Sequence, residues 1–98
     1  MSGSPTASGP AGSAARATAD LARRLDVDPA DVEVVSAELV TWRDGSLGCP
    51  QPGMVYTQAL VDGTRVVLEV AGRRYEYHSG GARGPFLCDH PEPPLPSS

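Results

Sequence analysis

Few side chains in this sequence could do chemistry. Two cysteines, Cys49 and Cys88, two histidines, His78 and His90, and the loop serine Ser46 are the candidates. Nucleophilic catalysis by Cys49 or Ser46 needs an adjacent base, and only the two histidines could supply one. His78 falls on the outward parity of an alternating stretch beside Glu76, and Ser46 follows a glycine as turn serines usually do. Cys88-Asp89-His90 with Cys49 or His78 offers thiolate and imidazole ligands, but without the C-x-x-C or H-x-x-x-H spacing of a closed metal site. The expectation is no enzyme, no cofactor and no metal. An even cysteine count in a small chain reads instead as one disulfide, Cys49 to Cys88, of a protein that folds outside the reducing cytosol.

Composition narrows the partners. The 98 residues carry a formal charge of −4, and all 8 basic residues are arginine, a bias of GC-rich genomes. Those arginines are scattered among 12 acids, whereas phosphate-backbone binding needs clustered positive charge, so nucleic acid is not an expected partner. No apolar stretch approaches the roughly 20 residues of a membrane span. The opening residues lack the charged and apolar regions of a signal peptide, so Met1-Ser2-Gly3-Ser4 reads as a start that replaces a removed signal or lipid anchor. The expected product is a monomer, secreted or tethered to the cell envelope.

The elements that must position these residues form one small domain. Residues 1–12 are small and turn-forming and read as a disordered tether; residues 89–98 hold four prolines and read as a disordered tail. Between them, residues 13–88 read as an α+β domain: one N-terminal helix packed on a three- to four-stranded antiparallel meander sheet, with one disulfide. Ala14, Ala17, Leu21, Ala22 and Leu25 recur at helical spacing, Ser13 can cap the start, and Asp20 stands four residues before Arg24. Asp28-Pro29-Ala30-Asp31 has the acid and proline of a single helical turn. In the strand that follows, the apolar phase slips near Ser36 or Ala37, the signature of a bulge. Met54–Val61 reads as the second strand, Asp62-Gly63 as its hairpin turn, and Thr64–Val70 as the third, with Val66, Leu68 and Val70 inward. Ala71-Gly72 turns again into Arg73–Ser79, whose alternation makes one aromatic and one charged face. A mobile loop, 80–85, and a short strand, Phe86–Cys88, close the domain. The plan is similar to cystatin-like or PepSY-like modules, which implies a fold and no activity.

The stretch from Trp42 to Tyr56 departs from ordinary loop composition. It is long for a hairpin connection, Pro50 and Pro52 stiffen it, Cys49 anchors it, and Trp42, Leu47 and Met54 can pack its base. Trp42, Ser46, Leu47, Pro50, Gln51, Pro52, Met54 and Tyr56 are the candidate binding residues, and the presented surface is expected over 45–53. Tyr75 and Tyr77 with Trp42 and Tyr56 are also of the type that lines a ligand groove.

Ser46-Leu47-Gly48-Cys49-Pro50-Gln51-Pro52-Gly53 after a tryptophan, then Tyr56 and later Tyr75-Glu76-Tyr77-His78, resembles small uncharacterised domains of secreted bacterial proteins over about Ala17–Cys88. A second similarity is to the Streptomyces subtilisin-inhibitor family, whose reactive loop reads Cys-Pro-Met-Val-Tyr. Here Cys49-Pro50 and Met54-Val55-Tyr56 supply those residues around an inserted Gln51-Pro52-Gly53, and the chain has one disulfide's worth of cysteines where that family has two. That resemblance implies a serine protease partner, with Met54–Val55 as the resisted bond. Two functional classes follow: a binding or structural module for an unknown protein or small ligand, and a protease inhibitor.

Overall fold

A computed structural model describes residues 9–96, in the order of a helix α1 (Gly9–Leu25), a 3-10 turn (Pro29–Asp31), and strands β1 (Glu33–Trp42), β2 (Val61–Val70), β3 (Arg73–Gly80) and β4 (Arg83–Cys88). The strands form one antiparallel sheet in sequence order, so this is the α+β meander expected, with the Cys49–Cys88 disulfide formed. The parts of the expected tether and tail at 1–8 and 97–98 lie outside the described residues.

The helix lays Ala14, Ala17, Leu21 and Ala22 on Val66, Leu68, Val70 and Tyr77 of the sheet. Three of the four helix residues are alanine, which lets the backbone approach the sheet closely. Leu21, fully buried, supplies the main apolar contact from α1, worth about 1.5–3 kcal/mol of burial. Tyr77 sends its hydroxyl through this layer to donate to Asp20 Oδ2 at 2.6 Å, and Asp20 also accepts from Arg24 Nε at 2.6 Å. That hydroxyl holds the Asp20 carboxyl below its usual range, and burial together with Asp20 pushes the Tyr77 phenol up. The helix begins at Gly9, ahead of the expected cap. Ser13 is therefore inside α1, where its hydroxyl accepts from Thr64, which also pairs with Ser79. At the other end Asp26 takes a left-handed φ of 56°, with Asp26 N donating to Arg23 O and Val27 N to Ala22 O. This is a Schellman stop with aspartate in the place glycine usually fills. The turn at 29–31 is capped as expected, Asp28 accepting from Ala30 N at 2.8 Å.

The bulge falls at Val35, where the β1–β2 register shifts between Val34 and Ser36. It returns Ala37 to the helix face and leaves Trp42 on the opposite face, beside Val61 of β2. Ala71 and Gly72, with φ of 52° and 81°, make the two-residue β2–β3 turn that right-twisted strands favour.

Three local expectations are corrected. Met54–Val61 is not a strand: residues 49–60 stay irregular, and β1 pairs directly with a β2 that starts at Val61. Asp62-Gly63 is therefore not a hairpin turn but lies inside β2, Gly63 opposite both Val40 and Gly80. A Cβ at Gly63 would run into the Ser79 carbonyl, so the glycine serves a close strand approach. The loop expected over 80–85 shrinks to a turn at Gly81-Ala82, and β4 begins at Arg83; it accommodates Pro85 because it is an edge strand.

The helix covers one face of the sheet, and the other face is covered as well. Residues 43–49 fold back over the second face, and the segment after Cys88 crosses it, Glu92 N donating to Gly48 O at 2.8 Å and Leu95 N to Thr41 O at 2.9 Å. His78, expected to point outward, is consequently buried completely. The segment 89–96 has no regular secondary structure, yet these two bonds tie it to the loop and to β1.

Candidate functional site

The connection from β1 to β2, residues 43–60, divides into a buried base and an exposed arc. The base starts at Asp44, whose Oδ1 accepts from Ser46 N at 2.9 Å and from Ser46 Oγ at 2.6 Å. These two bonds hold the Asp44 carboxyl below the usual range. Leu47 and Gly48 follow with left-handed φ of 56° and 72°, which turns the chain so that Leu47 packs against Gly80 and Gly48 lies flat on the Trp42 ring. A Cβ at Gly48 would overlap that ring and sit 2.9 Å from Glu92 O. Cys49 N closes the turn on Ser46 O at 3.0 Å, and the disulfide ties Cys49 to β4.

Beneath the base lies a buried polar and aromatic cluster. The Trp42 indole donates to Ser79 O at 2.9 Å and stacks on the His78 ring at 4.4 Å. His78 Nδ1 faces Leu47 O at 2.7 Å and Nε2 faces Glu76 Oε1 at 2.9 Å. Arg65 forks onto Glu76 with bonds of 3.0 and 2.9 Å and reaches Glu38 at 3.5 Å. Burial alone would push the Glu76 carboxyl up, but its hydrogen bonds to Arg65 and His78 outweigh it and hold the group below the usual range.

The arc, residues 50–60, has the opposite character. Val55 is 93% exposed, Leu60 66% and Met54 61%. It is braced at three points: Met54 N donates to Gln51 O at 3.2 Å, Gln51 N donates to the Tyr56 hydroxyl at 2.9 Å, and Gly45 N donates to Thr57 O at 2.9 Å. It carries no charge, since none of residues 45–61 is Asp, Glu, Arg or Lys.

The candidate residues therefore separate into two groups. Trp42, Ser46 and Leu47 are buried and frame the loop; Pro50, Gln51, Pro52 and Met54 are exposed on the arc; Tyr56 is half-buried, its hydroxyl spent as a brace. Tyr75 and Tyr77 face the helix layer, away from Trp42, so the four aromatics do not line one groove. From the sequence Val55 entered only as half of the Met54–Val55 bond and Leu60 not at all, although the uncharged run was the signal that could have found both as exposed surface. The Arg65–Glu76–His78 cluster was missed because it depends on the loop returning over the sheet. Ser46 Oγ is engaged by Asp44 and the ring nitrogens of His78 by Leu47 and Glu76, and among the described residues no hydrogen bond joins Ser46 to His78. Among the described residues no three His, Cys, Asp or Glu side chains form a group that could hold a metal, and no helix is long and apolar enough to cross a membrane.

A family profile described as "Domain of unknown function (DUF8738)" matches residues 14–88, more than half of the chain. The chain belongs to that family. The matched region runs from the first core residue of α1 to the second cysteine and contains both the base and the arc. No curated protein and no solved structure matches this DUF8738 chain.

Proposed function

We propose that this DUF8738 domain is a non-enzymatic, extracytoplasmic binding module that meets a protein partner through the arc 50–60. The observation that carries this reading is the combination at Val55, an apolar side chain 93% exposed in an arc that is braced and uncharged. Exposed apolar surface is costly to leave in water and marks contact sites, and bracing means that little ordering cost remains at association. The disulfide supports the compartment, because such bonds persist in oxidising environments. A photo-crosslinking residue placed at Val55 in the producing cells tests the contact. A discrete adduct there, and none from Arg23 on the outer helix face, is the expected result; no adduct from Val55 contradicts the reading.

A second reading is a serine protease inhibitor with Met54–Val55 as the resisted bond. It is favoured by the exposure of both residues in an irregular segment anchored one turn away by the disulfide. Incubation with subtilisin and chymotrypsin separates the two. Stoichiometric inhibition that Met54→Asp abolishes supports the inhibitor, and rapid cleavage in the arc without inhibition removes it.

A further inference from the structure

Both nitrogens of the buried His78 ring face oxygens. Leu47 O, 2.7 Å from Nδ1, can only accept. Glu76 Oε1, 2.9 Å from Nε2, belongs to a carboxylate that the Arg65 fork keeps ionised, so it too only accepts. A neutral imidazole has one N–H and one lone pair. It can satisfy one of these oxygens, and it then turns a lone pair on the other at hydrogen-bonding distance. A second proton on the ring satisfies both. The surrounding charges favour that arrangement: Glu76 of β3 and Glu38 of β1 both face the single guanidinium of Arg65 on β2, which among the described residues leaves one carboxylate charge more than that cation balances. From β4, Arg83 lies on the face of Phe86, whose ring is edge-on to His78, and so stays one ring removed. On the loop side Asp44 is engaged by Ser46, and from the segment after β4 it is the backbone of Glu92 that reaches the loop, at Gly48. The Trp42 face stacked on the ring is a surface that attracts a cation.

We propose that His78 is a proton-operated latch: its doubly protonated ring clasps Leu47 and Glu76 together, pinning the base of the 43–60 loop to the sheet, and loss of one proton releases that base. The sign follows from the geometry. The protonated ring is the closed form, so the base is ordered at lower pH and opens as pH rises. Cys49 stays bonded to Cys88, so the change is a local opening between Asp44 and Gly48 and not unfolding. The latch rests on these distances alone and holds whichever partner the arc meets.

Nitrogen and proton NMR of the oxidised protein between pH 5 and 9 tests it. The expected result is that both His78 ring nitrogens are protonated at the acid end, and that the loss of one proton coincides with a loss of amide-exchange protection at Cys49, whose N–H bonds Ser46 O, and at Glu92, whose N–H bonds Gly48 O. His90, exposed in the segment after β4, serves as the internal control, and protection at Cys49 and Glu92 should not follow its ring signals. In Glu76→Gln the carboxylate is gone and the neutral side chain can donate to Nε2, so the transition moves to lower pH. A ring that stays a single neutral tautomer throughout, or one that titrates while Cys49 and Glu92 keep their protection, overturns the proposal. Should Glu76→Gln fail to fold, the wild-type titration decides alone.

Discussion

Gly48→Ala is the sharpest perturbation of the loop base, because two separate penalties meet there. The residue has a φ of +72°, and forcing an alanine into the left-handed region costs about 1–2 kcal/mol. The new methyl would also overlap the Trp42 ring and press on Glu92 O. Overpacking of a filled site adds roughly 1–3 kcal/mol, for a total near 2–5 kcal/mol. Gly53→Ala is the matched control. Gly53 has nearly the same backbone, φ +79°, with nothing within 4 Å of its Cβ position, so it should cost only the conformational part of about 1–2 kcal/mol. Urea unfolding followed by fluorescence of the single tryptophan reads both variants, and the difference between them isolates the clash. Equal costs, within about 0.5 kcal/mol, would refute the claim that the loop base is packed on Trp42.

Replacing both cysteines by serine removes a bridge spanning 39 residues of sequence, about 4 kcal/mol in the chain-entropy account. Calorimetry should show the melting temperature fall by roughly 15–30 °C for a domain of this size, or no folded state at all. Tyr77→Phe removes the hydroxyl that holds the Asp20 carboxyl low and should cost about 1–2 kcal/mol at neutral pH. Because the folded carboxyl titrates below the unfolded one, Asp20 contributes stability above the ordinary aspartate range and loses it as pH falls through that range, so Tyr77→Phe and Asp20→Asn should both flatten the acid limb of a stability–pH curve. Val55→Asp, at a side chain 93% exposed, should leave stability within about 0.5 kcal/mol of wild type while abolishing any contact the arc makes, readable by denaturation and by the Val55-region crosslink.

The helix layer was largely legible from the sequence. Its alanine and leucine stripe, the Asp28-Pro29 turn, the inward Val66, Leu68 and Val70, and the Ala71-Gly72 turn all follow from patterns a few residues long. The bulge was also readable, since a period-2 pattern that slips needs an extra residue. The second face was not. Whether Asp62-Gly63 turns a chain or lets two strands approach depends on where β3 lies, and the same two letters serve both. Met54–Val61 has strand-like residues, but β1 takes its pairing from Val61 onward and leaves that segment without a partner edge. His78 looked outward because its parity is outward; only the return of residues 43–49 over the sheet buries it. For the same reason the candidate surface moved along the chain, from the expected 45–53 to the arc 50–60. Trp42, Ser46 and Leu47 hold the loop, and Met54, Val55 and Leu60 are what a partner could touch.

The central claim is that the exposed arc is held in shape by the base and the disulfide. Backbone order parameters from nitrogen relaxation at Val55, Gln58 and Leu60 test it directly, in the oxidised protein and after mild reduction under conditions where the sheet remains folded. The account predicts values near those of rigid backbone, about 0.8, that fall below about 0.6 once the Cys49–Cys88 bond is opened. Values already below about 0.6 in the oxidised protein, or unchanged by reduction, would contradict it.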